Sequence, residues 1–590
     1  MSIESRLEKL RELMSDRKID AYIIPTSDPH QSEYISDYYK TRQFISGFTG
    51  SAGTVVVTKD KAGLWTDARY FLQAEKELAN TEIKLYRMGL EGVPSLEDFL
   101  LEEVHDFGKI GFDGSCFSVK DYKNLSENMG SRALVYDIDY VSQIWSNRPD
   151  LPKDLVWLFD EAYVGESFSS KLERLRAKME EEGCDYTFIG APEDVCYLLN
   201  IRGGDVKYTP VVLSYLLISK DSVHLCIDQD KLNTEVLKYL EDNHVKIHNY
   251  GYIKELMKSI KGKNWVYLDP ERTNVNIYDS ISSNVRVKHG LNLTTTMKAI
   301  KNDIELENEK KAYLIDCASL VRFFNWVEIG TRTGSLNELI ASKKLHELRA
   351  ENESFIEDSF ETIVGYGENA AIVHYAPSDF GSKTLENRGM LLVDSGGHYK
   401  EGTTDITRTI ALGKLTEEEK IDYTLVLKSF IAMMTAKFKN KTNGERLDMI
   451  ARYPLWKEGK DFLHSTGHGV GFVLSVHEGP QRIGDKNTIE FVENMTTSIE
   501  PGLYISGKHG IRIENEVYVK EDSVNEFGRF MRFENLTYLP IDTRPVNIDM
   551  LEMWEIEWLN AYNNKCEEVL SPYLDGSDLE YLKESCKEIW

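Results

Sequence analysis

Several features that would place this 590-residue chain outside the cell or in a membrane are scarce in its sequence. Its seven cysteines are scattered without a CxxC pair, which predicts neither a disulfide framework nor a zinc knuckle. No stretch approaches the roughly 18 apolar residues of a membrane span. The N-terminal "MSIESRLEKLRELMSDRK" lacks the apolar run of a signal peptide. We therefore expect a reduced, cytoplasmic protein with no membrane partner.

Basic residues are also in deficit. Lysine and arginine total 70 against 97 aspartates and glutamates, a net charge of −27. Such a surface repels phosphates, which argues against nucleic acid and anionic membranes as partners. The contents of hydrophobic residues (41%) and charged residues (28%) are ordinary for a globular protein.

The chain is too long for one hydrophobic core, and its pattern predicts several domains. In residues 1–155, strand patterns such as "DAYIIPT" and "GTVVVT" alternate with the helical "ARYFLQAEKEL". After the proline-containing "SNRPDLPKD", residues 156–303 open with "SSKLERLRAKMEEEGCDYTFIG", which repeats the helix-then-strand pattern of the first start. The sequence predicts two α/β domains of one architecture, with chance similarity of two helix-strand units as the alternative.

The remaining sequence has a different pattern. Residues 304–525 begin with one or two long helices in "TTTMKAIKNDIELENEKKAYLIDCASLVRFFNWVEIG" and continue with short strands separated by glycine turns. This pattern predicts an α+β domain with largely antiparallel strands. Residues 526–590 hold helical segments, which we interpret as an extension of that domain.

The stretch "HSTGHGVGF" places His464 and His468 four positions apart, the spacing of a helical zinc site. Its three glycines disfavour a helix, and the glutamate that a zinc-protease helix carries beside its first histidine is Ser465 here. We therefore expect these histidines on a strand or glycine-rich loop, with any further metal ligands supplied from elsewhere.

Four carboxylates and one imidazole stand where core or turn residues would be expected. They follow apolar strand patterns or open them, in "LLVDSGG", "DITRTI", "STGHGVG", "TTSIEPGLY" and "IRIENEVYV": Asp394, Asp405, His468, Glu500 and Glu514. Because strand side chains alternate, residues 405, 407 and 409 share one face. Together the five form an oxygen-rich set that hard or borderline divalent ions prefer.

Each of these residues has a structural alternative when taken singly. Asp394 could cap the turn after its strand, Glu514 could lie on the solvated face of an edge strand, and His468 could be a hydrogen-bonded loop histidine. If the four carboxylates do converge, they repel one another and at least one must keep its proton. Two divalent cations balance four negative charges, so the set favours a two-ion centre over one ion.

The successive motifs "LLVDSGGHYKEGTTDITRT", "STGHGVG", "VHEGP", "SIEPGLY" and "IRIEN" resemble those of the pita-bread metallopeptidases, specifically the Xaa-Pro aminopeptidase (aminopeptidase P) family. "FISGFTGSAGTVVVTKDKAGLWTDARYFLQA" and "VCYLLNIRGGDVKYTPVVLSYLLIS" resemble the first and second domains of its long form. The resemblance covers essentially the whole chain. It implies two creatinase-like α/β domains followed by a pita-bread α+β catalytic domain.

The resemblance also implies roles for individual residues. Asp394, Asp405, His468, Glu500 and Glu514 would bind two metal ions, usually Mn²⁺ with Co²⁺ or Zn²⁺ as alternatives, and Asp405 and Glu514 would bridge them. Four further residues would line the substrate site or stabilise the transition state: His374, His477, Tyr504 and Arg512. His464 would act in catalysis without binding metal, and Arg69 would reach the substrate from the first domain, with a surface or core-edge arginine as the alternative.

The implied reaction removes the N-terminal residue from peptides with proline at position 2. A hydroxide shared by the ions would attack the carbonyl before proline, and Glu500 would pass the proton to the leaving nitrogen. The alternatives are prolidase, which prefers dipeptides, more distant creatinase-type or methionine-specific relatives, and a binding protein with a dead metal site. The family further implies a homodimer.

Overall fold

The computed structural model describes residues 1–379 and 381–590. It divides into two compact units: Met1–Glu161 with Glu166–Thr295, and Ala162–Gly165 with Thr296–Trp590. The first predicted α/β domain and most of the second fall in the first unit, whereas residues 162–165 and 296–303 of the second belong to the other unit. The boundaries predicted within each unit remain predictions.

Two six-stranded sheets form the first unit. The strands of the first sheet lie side by side in the order Lys84–Arg87, Ala62–Thr66, Thr54–Thr58, Ala21–Pro25, Lys109–Phe112, Ala133–Val135. Those of the second follow the order Val245–Asn249, Val223–Ile227, Ser214–Ser219, Tyr186–Ile189, Trp265–Leu268, Arg286–His289. In each sheet the first strand along the chain pairs antiparallel on one side and parallel on the other. The equal strand order and directions agree with the predicted repeat of one architecture.

The helices that open the two repeats begin in the same way. The Ser2 hydroxyl accepts a hydrogen bond from Ser5 N and caps helix Ile3–Arg17, and Ser167 caps helix Phe168–Glu181. Apolar side chains at helical spacing bury one face of each. The further helices of this unit are Thr41–Ser46, Phe71–Leu78, Leu96–Glu103, Val119–Asn128, Tyr140–Ile144, Pro192–Leu199, Thr234–Asp242, Ile253–Ser259 and Val275–Tyr278. A short ladder joins Trp157–Leu158 to Ile201–Arg202.

The second unit is built on antiparallel strand ladders, as its glycine-rich pattern predicted. One sheet joins Ile363–Tyr366, Met390–Ser395 and Ile406–Ala411, and another joins Lys437–Lys439, Gly528–Asn535, Asn515–Asn525 and Thr496–Ile499. Smaller ladders join Phe355–Asp358, Gly397–Tyr399 and Gly402–Thr403; Gly467–His468 and Arg482–Ile483; Gly502–Ile505 and His509–Arg512.

Long helices cover these sheets. The longest, Asp303–Thr331, begins at a capping box in which the Asn302 side chain accepts from Glu305 N and the Glu305 carboxylate accepts from Asn302 N. The others are Glu338–Ala350, Glu417–Met434, Gly444–Trp456, Met553–Leu570 and Gly576–Ser585. Helices Glu161–Val164 and Leu293–Ala299 span the points where the chain passes between units. Within the described residues, no helix combines the length and apolar character that a bilayer crossing requires.

Candidate metal centre

Two aspartates approach each other because their strands pair. Asp394 lies on strand Met390–Ser395 opposite Thr407, and Asp405 stands just before strand Ile406–Ala411 rather than inside it. Both side chains are buried. The main-chain N–H of Asp405 donates to the Tyr313 hydroxyl at 3.2 Å. The paired strands therefore bring two carboxylates, one on a strand and one just before its neighbour, into one pocket.

Two glutamates and a histidine join them from other strand ends. Glu514 N donates to Thr407 O at 3.1 Å, and its Oε2 accepts from Thr407 Oγ1 at 2.7 Å. Glu500 follows strand Thr496–Ile499, where its main-chain N–H donates to Thr466 O at 2.7 Å. His468 N donates to Ser498 Oγ at 3.0 Å, beside Glu500.

The orientation of the His468 ring suits a metal ligand. Its Nδ1 lies 3.1 Å from the Gly469 carbonyl, which can only accept, so Nδ1 carries the proton. The lone pair is then on Nε2, which lies 3.3 Å from Glu500 Oε1 and 3.5 Å from Asp405 Oδ2. The expectation that the histidines of "HSTGHGVGF" lie outside a helix is confirmed, because His468 is on the two-residue strand Gly467–His468.

Potential ligand atoms of the five predicted residues lie in overlapping groups, each within 4.8 Å: Asp394, Asp405 and Glu514; His468, Glu500 and Glu514; Asp405, His468 and His477. Glu514 joins the first group to the second, and Asp405 joins the first to the third. This overlap suits two neighbouring ions with shared carboxylates. His477, predicted as a substrate residue, also lies within ligand range, with its ring edge-on to His468 at 4.4 Å between centroids.

The pocket has the charge and the open coordination positions that cations require. Among the described residues, buried Asp394 Oδ1 and Glu514 Oε1 have no hydrogen-bond partner. Burial and the neighbouring carboxylates raise the pKa of Asp405 and the pKa of Glu514. Burial raises the pKa of Glu500 to about 7, with Arg512 opposing the shift and Asp394 adding to it. The donor set therefore fits two hard or borderline divalent ions.

A hydrogen-bond chain leads from this pocket to His464. Arg512 donates through Nη2 to Asp394 Oδ2 at 2.5 Å and through Nη1 to the Tyr504 hydroxyl at 2.6 Å. Because an arginine can only donate, the Tyr504 hydroxyl accepts from it and donates its own proton to His464 Nε2, 2.8 Å away. His464 Nδ1 then donates to Ser465 O at 2.8 Å. His464 is thus placed to orient Tyr504, and its catalytic role stays a prediction.

Two predicted substrate residues, His374 and Arg69, lie outside the groups of potential ligand atoms. His374 is half-buried and follows Val373, whose carbonyl accepts from Arg512 Nη2 at 3.4 Å. Arg69 belongs to the first unit, where Nε and Nη2 each donate to the Asp67 carboxylate at 2.8 Å. Their roles toward substrate stay predictions.

The supports behind the aspartates were missed by sequence reasoning. The buried Asp316–Arg349 ion pair lies behind both: Arg349 Nη2 donates to Ser395 Oγ at 3.0 Å, and Asp316 Oδ2 accepts from Thr404 Oγ1 at 2.6 Å. Ser395 and Thr404 are the chain neighbours of Asp394 and Asp405. Asp316 and Arg349 come from two helices, and nothing local in the sequence marks them as partners.

Known proteins resemble this chain over its whole length. Residues 307–521 match metallopeptidase family M24, residues 6–143 and 147–305 each match the creatinase/prolidase N-terminal domain, and residues 529–589 match the C-terminal region of peptidase M24. Xaa-Pro aminopeptidase 1 of Dictyostelium discoideum is 36% identical, with 100% of this chain and 97% of that protein aligned.

The chain belongs to metallopeptidase family M24.

Two solved structures differ in how much of this chain they match. An X-prolyl aminopeptidase from Caenorhabditis elegans, described as a cytosolic enzyme with a di-nuclear active site, is 36% identical, with a TM-score of 0.95 and full coverage of both chains. A Xaa-Pro dipeptidase from Bacillus anthracis, 24% identical with a TM-score of 0.51, shares the fold over 64% of this chain and 99% of its own. The dipeptidase likeness therefore leaves about a third of this M24 chain unmatched.

Metal removal is expected to destabilise the second unit. Ions that bind the folded state alone add about 2.7 kcal/mol when present at 100 times their Kd, which in a unit of this size corresponds to a melting shift on the order of 5 °C. Calorimetric scans before and after chelation measure the shift, and added Mn²⁺ should restore the original transition. Elemental analysis must first confirm that the metal has been lost. If the melting transition is then unchanged, the proposed two-ion site is contradicted.

Proposed function

We propose that this protein is a metal-dependent Xaa-Pro aminopeptidase that removes the N-terminal residue from peptides with proline at position 2. The proposal is carried by the convergence of five residues in one pocket, where three are buried and His468 and Glu500 are half-buried: Asp394, Asp405, His468, Glu500 and Glu514. Full-length likeness to Xaa-Pro aminopeptidases, rather than to dipeptidases over part of the chain, supports the substrate class.

Proline makes a specialised site necessary. The X-Pro bond is a tertiary amide without an N–H, so a peptidase that holds its substrate by that hydrogen bond has nothing to grip. Two bound divalent ions, which we propose to be Mn²⁺ with Co²⁺ or Zn²⁺ as alternatives, supply Lewis acidity and lower the pKa of water. Asp405 and Glu514 would hold both ions, whereas Asp394, His468 and Glu500 would each hold one.

Glu500 is the residue best placed to move a proton. Its Oε1 accepts from Ser498 Oγ at 3.2 Å, which directs the exchangeable proton to Oε2. Without ions, burial raises the pKa of this carboxyl to about 7. Bound cations would oppose that shift and favour the carboxylate, the form that can take up a proton. We assign Glu500 Oε2 as the atom that carries the proton toward the leaving proline nitrogen.

The surrounding residues would orient the peptide. His477 lies beside His468, and His374 lies on the loop that Arg512 reaches through Val373 O. We assign His374 and His477 to the carbonyl oxygen on which charge develops. The Tyr504 hydroxyl accepts from Arg512 and donates to His464, so it would offer the substrate its remaining lone pair. Arg69 remains a proposed substrate contact from the first unit.

The proposed setting is the cytoplasm. All seven cysteines lie in the described part of the chain and carry free thiols, which is the usual state in a reducing compartment. The similar enzyme from Caenorhabditis elegans is described as cytosolic. Peptides with an Xaa-Pro N-terminus are the proposed partners.

Cleavage of Arg-Pro-Pro should be much faster than cleavage of Arg-Pro when the enzyme is loaded with Mn²⁺. Asp405→Asn should reduce kcat/KM by more than about 100-fold, because even outer-shell partners of metal ligands often contribute 10- to 100-fold. Product analysis by chromatography measures both, and Asp60→Asn, on an exposed aspartate, is the matched control. Faster hydrolysis of Arg-Pro would favour a dipeptidase. Folded, metal-loaded protein without cleavage would favour a peptide-binding relative.

We further propose that the protein forms a homodimer through helix Gly444–Trp456. Three large side chains on one face of this helix are exposed: Met449 (51%), Tyr453 (63%) and Trp456 (40%). They recur at spacings of four and three residues, so they form one apolar stripe. A two-fold contact places the same stripe of each copy together, which a symmetric dimer requires.

Tyr453→Glu should shift the protein from dimer to monomer, because a charge would be buried without a partner at the centre of the contact. Sedimentation velocity across a tenfold concentration range measures the shift. Phe527→Glu makes the same kind of change at a side chain that is 70% exposed elsewhere, and it should leave the dimer intact. A monomeric wild-type protein, or equal effects of the two variants, would refute this interface.

A further inference from the structure

Arg408 is a buried arginine behind the candidate metal centre. It lies on strand Ile406–Ala411 and is 1% exposed. Its neighbours Thr407 and Thr409 face the pocket side, where Thr407 Oγ1 bonds Glu514 and Thr409 Oγ1 bonds Arg512 O. Because strand side chains alternate, Arg408 points to the opposite face.

The hydrogen bonds of Arg408 go to uncharged acceptors. Nη1 donates to Thr407 O at 2.8 Å and to Glu514 O at 2.5 Å. Nη2 donates to Asn515 Oδ1 at 2.8 Å, Leu539 O at 2.6 Å and the Tyr562 hydroxyl at 2.9 Å, and Nε donates to Pro540 O at 3.0 Å. Within residues 1–379 and 381–590, Arg408 forms no ion pair. The guanidinium therefore acts as a rigid fork that joins three segments of main chain.

One of the joined segments carries Glu514. This residue is held at three atoms: its N–H donates to Thr407 O, its carbonyl accepts from Arg408 Nη1, and its Oε2 accepts from Thr407 Oγ1. Its buried Oε1 has no hydrogen-bond partner among the described residues. The position of that oxygen is thus set largely by residues 407 and 408.

The other acceptors come from the C-terminal part of the chain. Leu539 and Pro540 belong to the segment after strand Gly528–Asn535, and Tyr562 lies on helix Met553–Leu570. The Tyr562 hydroxyl also donates to Leu539 O at 2.9 Å and accepts from Asn515 Nδ2 at 3.1 Å. Leu539, Pro540 and Tyr562, which we term the C-terminal brace, close around Arg408 on the side away from the pocket.

We propose that the C-terminal brace is a positioning device for the metal centre: acting through Arg408, it holds the main chain of Glu514 so that Glu514 can bind both ions. This inference rests on the proposed function. It assigns a role to the region after residue 525 that the ligand residues do not reveal, and it makes Arg408 and Tyr562 positioning residues that touch neither metal nor substrate.

Removing the Tyr562 hydroxyl tests the brace with a small change. Tyr562→Phe should weaken Mn²⁺ binding to the chelator-treated protein by about 10-fold, the lower end of the 10- to 100-fold range for outer-shell partners. Electron paramagnetic resonance of free Mn²⁺ during titration measures the affinity without any activity assay. Arg408→Lys keeps the charge and loses the fork, so it should weaken binding at least as much.

Tyr423→Phe is the matched control. Tyr423 is also buried, and its hydroxyl donates to Asp542 O at 2.7 Å, so it contacts the same C-terminal segment without a hydrogen bond to Arg408. Melting temperatures of the two Phe variants should fall by similar amounts, whereas Mn²⁺ affinity should remain within twofold of wild type in Tyr423→Phe alone.

The outcomes separate the brace from the proposed function. If wild type binds Mn²⁺ and cleaves Arg-Pro-Pro but Tyr562→Phe titrates like Tyr423→Phe, the brace is refuted and the function stands. If wild type binds two Mn²⁺ without cleaving Xaa-Pro peptides, and Tyr562→Phe still weakens binding, the function is refuted and the brace stands. A wild-type protein that binds no Mn²⁺ refutes both.

Discussion

Repulsion among four carboxylates, three of them buried and Glu500 half-buried, is the constraint on which the second unit depends. Asp394, Asp405, Glu500 and Glu514 share one pocket, and the pKa values of the last three are raised by burial with added repulsion from neighbouring carboxylates. Removing this many charges from water is costly unless cations balance them. The pocket is therefore a site that folding alone leaves incompletely stabilised, and two divalent ions would balance its charge.

The fold meets this constraint by supporting the proposed ligands from several segments. Paired strands bring Asp394 and Asp405 together, Thr407 holds Glu514, and Arg512 supplies one positive charge to Asp394. Behind them, uncharged acceptors surround Arg408. Ligands placed on strands and strand ends, each with a fixed hydrogen-bond partner, are better preorganised than ligands on unsupported loops.

Sequence patterns predicted the parts of this arrangement that are local. The repeated helix-strand start indicated two like domains. Acids at the ends of apolar strands and a histidine in a glycine-rich stretch indicated the five converging residues. The glycines of this stretch predicted that His464 and His468 lie outside a helix, which is confirmed. The two side chains have different partners, and the His464 ring is hydrogen-bonded to Tyr504. The sequence could not predict the supporting roles of Asp316, Arg349 and Arg408. Their partners lie on distant segments, and neither a buried ion pair nor a buried arginine with several acceptors produces a periodic pattern.

Counting the ions tests the central claim most directly. Protein purified without chelator, then stripped and titrated with Mn²⁺ by calorimetry, should bind two ions per chain, and Asp405→Asn should lower that number or sharply weaken both. Elemental analysis of the untreated protein gives an independent count. Binding of one ion or none by the folded wild-type chain would contradict the account.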